Sequence, residues 1–175
     1  MAITRLNNNS ASAITSMSGL TSLPSGLVAN TPYWCARETG LQTISHNTET
    51  KATLQTEILD SDSAYDTTNS KFTVPSGKGG DYFVWFQADL YDADSDITNL
   101  TGTIKKNGST IISKVYTDFS NGSVPSHAHM YISTMLTLSA TDYIENYILM
   151  TTTDGSSAQS YGGEFGTQCG GFRLV

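Results

Sequence analysis

The hydrophobic pattern of this chain changes character near residue 30. Before it, apolar residues stand singly among Ser, Thr, Asn, Ala and Gly: Ile3, Leu6, Ile14, Met17, Leu20, Leu23 and Leu27. That spacing is too loose for a core, and its surroundings are poor helix formers. Residues 1–30 are therefore expected to form an extended arm that orders against a partner, with a plain disordered leader as the alternative. From Thr31 onward, short β-type runs are broken by Gly, Asn, Asp and Pro. The expected strands are Tyr33–Arg37, Thr50–Leu59, Lys71–Val74, Tyr82–Tyr91, Leu100–Lys106, Thr110–Thr117, His129–Leu138, Tyr143–Thr151 and Gly171–Val175. Nothing between them reads as a long helix. Lys106-Asn107-Gly108-Ser109 joins two of these runs as a two-residue hairpin, because Asn-Gly tolerates the positive φ angles of such a turn. Many short strands with turn signals between them predict an all-β fold, an antiparallel jelly-roll sandwich over residues 31–175.

Within the strands, alternation leaves a surplus of apolar surface. The run Tyr82-Phe83-Val84-Trp85-Phe86 places Tyr82, Val84 and Phe86 on one face and Phe83 and Trp85 on the other. One face serves the core and the other needs a partner. From Ala128 to Leu138, Ala128, Met130, Ile132, Thr134, Leu136 and Leu138 face one way; His129, Tyr131, Ser133, Met135 and Thr137 face the other, a polar and aromatic set with hardly a charge. The next run opposes Ile144, Ile148 and Met150 with Tyr143, Tyr147 and Leu149. Phe83, Trp85, His129, Tyr131, Met135, Tyr143 and Tyr147 are accordingly the candidate subunit contacts.

Composition narrows the partners. The chain has 175 residues, enough for one full core with an extension, only 14% charged residues and a net charge of −7. Neither nucleic acid nor an anionic membrane is an expected partner of so acidic a chain. No run approaches the ~18 apolar residues of a spanning helix, and Met1 to Val28 lacks the basic start and apolar centre of a signal peptide. The chain reads as made in the cytosol, or exported as part of a larger particle. Cys35 and Cys169 stand in no metal-ligand spacing and read as buried thiols, with a disulfide as the alternative.

Candidate chemistry is sparse. Asp92, Asp94 and Asp96 alternate as in a calcium loop, but Ile97 and Thr103 occupy the positions where an EF-hand needs glycine and glutamate. A looser calcium site, from this loop or from Asp60, Asp62 and Asp66, stays open; no other cofactor is expected. His127-x-His129 places two imidazoles on one strand face without a third ligand nearby in sequence. No Gly-x-Ser-x-Gly elbow occurs, and nothing pairs any two of Glu57, Glu145 and Glu164, so no enzyme is expected.

An ordered series of segments resembles the globular head of the complement first component, a branch of the tumour necrosis factor-like jelly rolls. Pro32-Tyr33-Trp34-Cys35-Ala36-Arg37 is similar to its opening strand. Tyr65-Asp66, then Ser70-Lys71-Phe72-Thr73-Val74-Pro75, resembles its central signature, and Gly80 to Gln87 the aromatic strand that follows. Lys106-Asn107-Gly108 resembles a hairpin common in these heads, Leu136 to Ile144 a pair of their strands, and Phe165 to Val175 their closing strand. Ala140-Thr141-Asp142 replaces the usual glycine before the aspartate, and Ser76 to Gly80 lengthens the preceding turn. The resemblance implies a ten-stranded jelly roll assembled as a tight homotrimer around an aromatic axis. The polar leader Met1 to Asn9, joined directly to such a head, also resembles small virion proteins of tailed bacteriophages. That likeness implies a decoration or cement protein located in the virion after assembly in the host cytoplasm, bound to the major capsid or another virion protein, with Ile3, Leu6, Ile14, Met17, Leu20, Leu23 and Leu27 as anchoring residues. A tail-fibre tip binding a host surface glycan or receptor, and a secreted lectin-like or signalling head, are the alternatives.

Overall fold

A computed structural model describes residues 30–122 and 124–174. The seven anchoring candidates of the arm lie outside the described residues. Among these, all regular structure is β: β1 (Tyr33–Arg37), β2 (Leu41–Ile44), β3 (Thr50–Lys51), β4 (Thr56–Asp60), β5 (Tyr65–Asp66), β6 (Lys71–Thr73), β7 (Gly80–Tyr91), β8 (Ile97–Lys106), β9 (Thr110–Asp118), β10 (His127–Leu138), β11 (Tyr143–Thr152), β12 (Ala158–Tyr161) and β13 (Gln168–Arg173).

They form two antiparallel sheets. The first runs β2-β12-β7-β13-β1-β4, with β10 on the free side of β7; the second runs β5-β6-β11-β8-β9, with β3 beside β11. Neighbours far apart in sequence, such as β1 beside β13 and β7 beside β13, make this a jelly-roll sandwich rather than a meander. The strands expected from sequence recur with shifted ends, except over residues 50–59. There β3 belongs to the second sheet and β4 to the first, and Ala52 to Gln55 carry the chain between them. Backbone groups of this crossing find other partners: Ala52 N–H donates to the Asn146 carbonyl, Leu54 N–H to Ser70 Oγ, and the Tyr65 hydroxyl to the Leu54 carbonyl. Backbone groups paired in this way can leave the sheets and still lie beside a core. Short β2, β5 and β12, not expected from sequence, complete the sheets.

Period-two alternation fills the space between the layers. Trp34 from the first sheet stacks flat on Phe72 from the second at 3.6 Å between ring centroids, and Tyr82 closes on both. Leu90, Ile97, Leu100, Ile104, Ile148 and Met150 are fully buried along the rest of the core. Each such side chain contributes about 1.5–3 kcal/mol through removal from water. Asn107 and Gly108 take positive φ of 54° and 73°, and Ser109 N–H donates to the Lys106 carbonyl, so the Asn-Gly turn forms as expected. Thr141, where the resembling heads carry glycine nearby, is held at φ 76°; the Val74 carbonyl accepts its N–H at 2.9 Å. For a β-branched residue that is a strained conformation.

Candidate functional site

The first sheet has a second side, and β7 decides what stands on it. Tyr82, Val84, Phe86, Ala88 and Leu90 point into the core, so Phe83, Trp85, Gln87, Asp89 and Tyr91 point out. Strand β10 pairs with β7 along its whole length and does the same. Ala128, Met130, Ile132 and Leu138 go in; His127, His129, Tyr131, Ser133, Met135 and Thr137 go out.

Register aligns these side chains into rows. Tyr33, Phe172, Phe83 and Met135 stand side by side on β1, β13, β7 and β10. The next row is Leu59, Cys35, Gly170, Trp85 and Ser133, and the next Arg37, Gln168, Gln87 and Tyr131. At the far end Asp89 opposes His129, and Tyr91 opposes His127. The face thus runs from wholly apolar to polar and titratable. Its rings touch: Phe83 and Phe172 are 5.5 Å apart, Trp85 and Tyr131 6.3 Å, Tyr91 and His127 4.8 Å. Much of this surface is open, with Tyr131 55% and Met135 70% exposed. A cavity of about 520 Å³ lies among Tyr33, Cys35, Leu59, Trp85, Gly171 and Phe172.

Glycines allow the Trp85 indole to lie flat. A Cβ at Gly170 would stand 2.9 Å from the indole and 2.7 Å from the Trp34 carbonyl oxygen, and one at Gly171 would strike the Trp34 ring on the core side. No strand of this sheet contains lysine, and its only arginines, Arg37 and Arg173, close β1 and β13.

Five of the seven residues expected at a subunit contact, Phe83, Trp85, His129, Tyr131 and Met135, are brought onto this one face. Tyr143 and Tyr147 are not: they stand on the outward side of the second sheet, where Lys71 lies over the Tyr143 ring at 4.9 Å and Lys105 over the Tyr147 ring at 4.2 Å. Sequence reasoning missed Tyr33, Leu59 and Phe172. For Phe172 the signal was available, an aromatic beside two glycines in a strand, which marks a close backbone approach.

Other candidate chemistry disperses. Asp92 Oδ1 accepts the Asp94 N–H at 2.8 Å within the loop, while Asp96 Oδ2 accepts the Asp154 N–H from the loop after β11, so these two carboxylates turn to backbone N–H groups. Asp60 likewise accepts the N–H groups of Asp62 and Tyr65. Among the described residues no three His, Cys, Asp or Glu side chains converge as metal ligands. Cys35 and Cys169 are free thiols on opposite sides of the sheet; burial pushes the Cys169 thiol up to about 12 and raises Cys35 also, although Arg37 pulls the latter down. Neither is poised as a nucleophile. Burial also raises Glu38 to about 6, against the Ser160 hydroxyl that donates to its carboxylate at 2.8 Å.

No protein-family model matches the sequence, and no curated protein matches it significantly. Solved structures do resemble the fold. The globular domain of zebrafish complement 1qA protein superposes with a TM-score of 0.58 at 13% identity, over 83% of this chain and 98% of that one. Murine APRIL gives 0.60 at 13% identity over 81% and 98%, and Eiger TNF from S. frugiperda 0.56 at 14% identity over 82% and 90%. With two sheets in this strand order and these neighbours, the described residues have the jelly-roll fold shared by complement first-component globular heads and tumour necrosis factor-like proteins.

Proposed function

We propose that this chain is a non-enzymatic head that assembles with two copies of itself through the outward face of the first sheet, and serves as a decoration or cement protein of a tailed-phage virion. The observation that carries self-association is the lysine-free row Tyr33, Phe172, Phe83 and Met135 crossing four strands beside Trp85 and Tyr131. A contiguous aromatic patch without compensating charge has the composition of an interface core. Three-fold assembly is what the resemblance to complement heads implies. The virion role rests on the N-terminal segment, residues 1–30, as the anchor to a capsid or other virion protein; a tethered trimer gains avidity from three such anchors.

A second reading, a recognition or signalling head, is supported by the fold neighbours, among them a complement protein and a tumour necrosis factor. It would use loops such as that holding Phe165, which is 88% exposed, to contact a receptor or glycan. Light scattering at micromolar concentration, followed by binding of the full chain and of residues 31–175 to emptied capsids, separates the two. The virion reading expects a trimer that binds capsids only with residues 1–30 present. A monomer would overturn the assembly, and equal capsid binding by the shortened chain would overturn the anchor. A trimer that attaches to host cells and ignores capsids would establish the second reading instead.

A further inference from the structure

The polar end of the aromatic face holds a group of side chains that self-association leaves unexplained. His127 and His129 are the first and third residues of β10, so both imidazoles project from the same side of the sheet. Their rings are nearly parallel, 11° apart, with centroids separated by 6.5 Å. Across the ladder, Tyr91 packs on His127 at 4.8 Å, and Asp89 Oδ1 stands 3.3 Å from His129 Nδ1. That oxygen is buried and has no hydrogen-bond partner among the described residues. A buried, unpartnered carboxylate oxygen facing an imidazole needs either a proton donor or a cation. Burial raises the Asp89 pKa, while His129 and His127 act in the opposite direction. Beside it opens a cavity of about 360 Å³ lined by Gln87, Ala88, Asp89, His129, Met130 and Tyr131.

We infer that His127 and His129 form a binding site for a divalent transition-metal ion of the zinc class, with Asp89 as the positioning residue behind His129. The chemistry fits in three respects. Imidazole suits zinc, copper and nickel, whereas calcium prefers oxygen. A neutral His129 that turns its Nδ1–H toward Asp89 presents Nε2 outward as a lone pair, the carboxylate–histidine–metal relay that fixes the tautomer and raises ligand basicity. The spacing also closes: with Zn–N bonds of about 2.0–2.1 Å at a tetrahedral angle, two ring centroids stand about 5.2 Å apart, so side-chain rotation need close only about 1.3 Å. Both rings are exposed enough to rotate, the His129 side chain being 67% accessible.

One chain supplies two ligands, and water completes the coordination. The site does not require self-association. Where the face is covered by further copies, their imidazoles can take the open positions, and the ion then ties copies together.

The test is zinc titration of the tag-free full-length chain by calorimetry, with copper(II) electron paramagnetic resonance to count coordinated imidazole nitrogens. Binding is expected to weaken at least tenfold in His127→Ala and in His129→Ala and about tenfold in Asp89→Asn. The third histidine of the chain is His46, so His46→Gln should bind as the parent does. No zinc binding, or binding unchanged in either β10 variant, would overturn the site. Light scattering on the same samples reports assembly separately: a monomer that binds zinc through His127 and His129 supports the site while removing the trimer, and a trimer that binds none overturns the site alone.

Discussion

The two outward faces of this sandwich are built by the same alternation and end in opposite chemistry. On the second sheet, Tyr143 and Tyr147 also point out, but both are roofed by a lysine, Lys71 over Tyr143 and Lys105 over Tyr147, while Tyr116 on β9 stands open. Lys105 and other lysines of this side find acids, Lys105 with Glu49 and Lys51 with Glu145 at 2.5 Å, Lys106 with Asp142 at 3.5 Å. Those ammonium groups hold a hydration shell that a dry interface would have to strip. On the first sheet, Phe83 pairs with Phe172 and Trp85 with Tyr131, and among the described residues no lysine or arginine lies over these rings. Aromatic content alone therefore does not distinguish the two faces. What separates the β11 tyrosines from the β7 and β10 aromatics is whether a long cation lies over the ring.

The strongest way to break that contrast is to give the first face the charge that the second already has. Trp85→Arg with Tyr131→Arg should weaken self-association at least about 100-fold, because paired aromatic anchors at an interface centre each carry a large share of the binding energy. Sedimentation velocity across a concentration series would measure it. The control is Tyr147→Arg on the other face, which should leave the association constant within about twofold. Equal loss from both variants would mean that the faces are not distinguished by charge.

A smaller effect tests how the first face is shaped. Gly170→Ala must displace either the Trp34 carbonyl, 2.7 Å from the new Cβ, or the Trp85 ring at 2.9 Å. Overpacking against backbone should cost about 1–3 kcal/mol in urea unfolding and shift the tryptophan emission. Gly102→Ala in the second sheet meets instead the flexible thioether end of Met130 and should cost less. A larger loss at Gly102 would show that the Trp85 pocket is not the tightly fitted one.

These contrasts mark what a single sequence could disclose. The alternation of Tyr82 to Phe86 announced two apolar faces, and Asn107-Gly108 announced its hairpin, because both signals are local. Period-two patterning assigns side chains to the faces of a strand but not a strand to a sheet. Tyr143 and Tyr147 therefore read like Phe83 and Trp85 until β11 was found beside β8, within reach of Lys105. The split of residues 50–59 between sheets was hidden because the crossing is satisfied by Ser70 and Asn146, distant in sequence. Likewise the approach of Asp89 to His129 depends on the β7–β10 register, which no local feature of either strand states.

The mildest prediction concerns charge that the first sheet keeps inside. Acids on the second sheet are answered by lysines, but Glu38, just after β1, is buried, and among the described residues no cation pairs with it. Burial raises its carboxyl from 4.5 to about 6, opposed by hydrogen bonds from Ser160 and Thr167. Between those two values the folded chain holds a proton that the unfolded chain has released. Stability from this group is therefore greatest below the unfolded value and falls as pH rises through the folded one. The shift corresponds to about 2 kcal/mol, reduced to about 1 kcal/mol by residual solvation of the carboxylate. Carboxylates whose pKa is lowered, such as Asp66 and Asp142, slope the other way, so the parent curve alone cannot isolate Glu38. Glu38→Gln keeps the acceptor for Ser160 and removes the titration. The stability of the variant relative to the parent should rise by about 1 kcal/mol from pH 4 to pH 7 in urea unfolding. A difference that stays flat across that range would mean Glu38 is solvated after all, and that the first sheet tolerates charge at its margin as readily as the second.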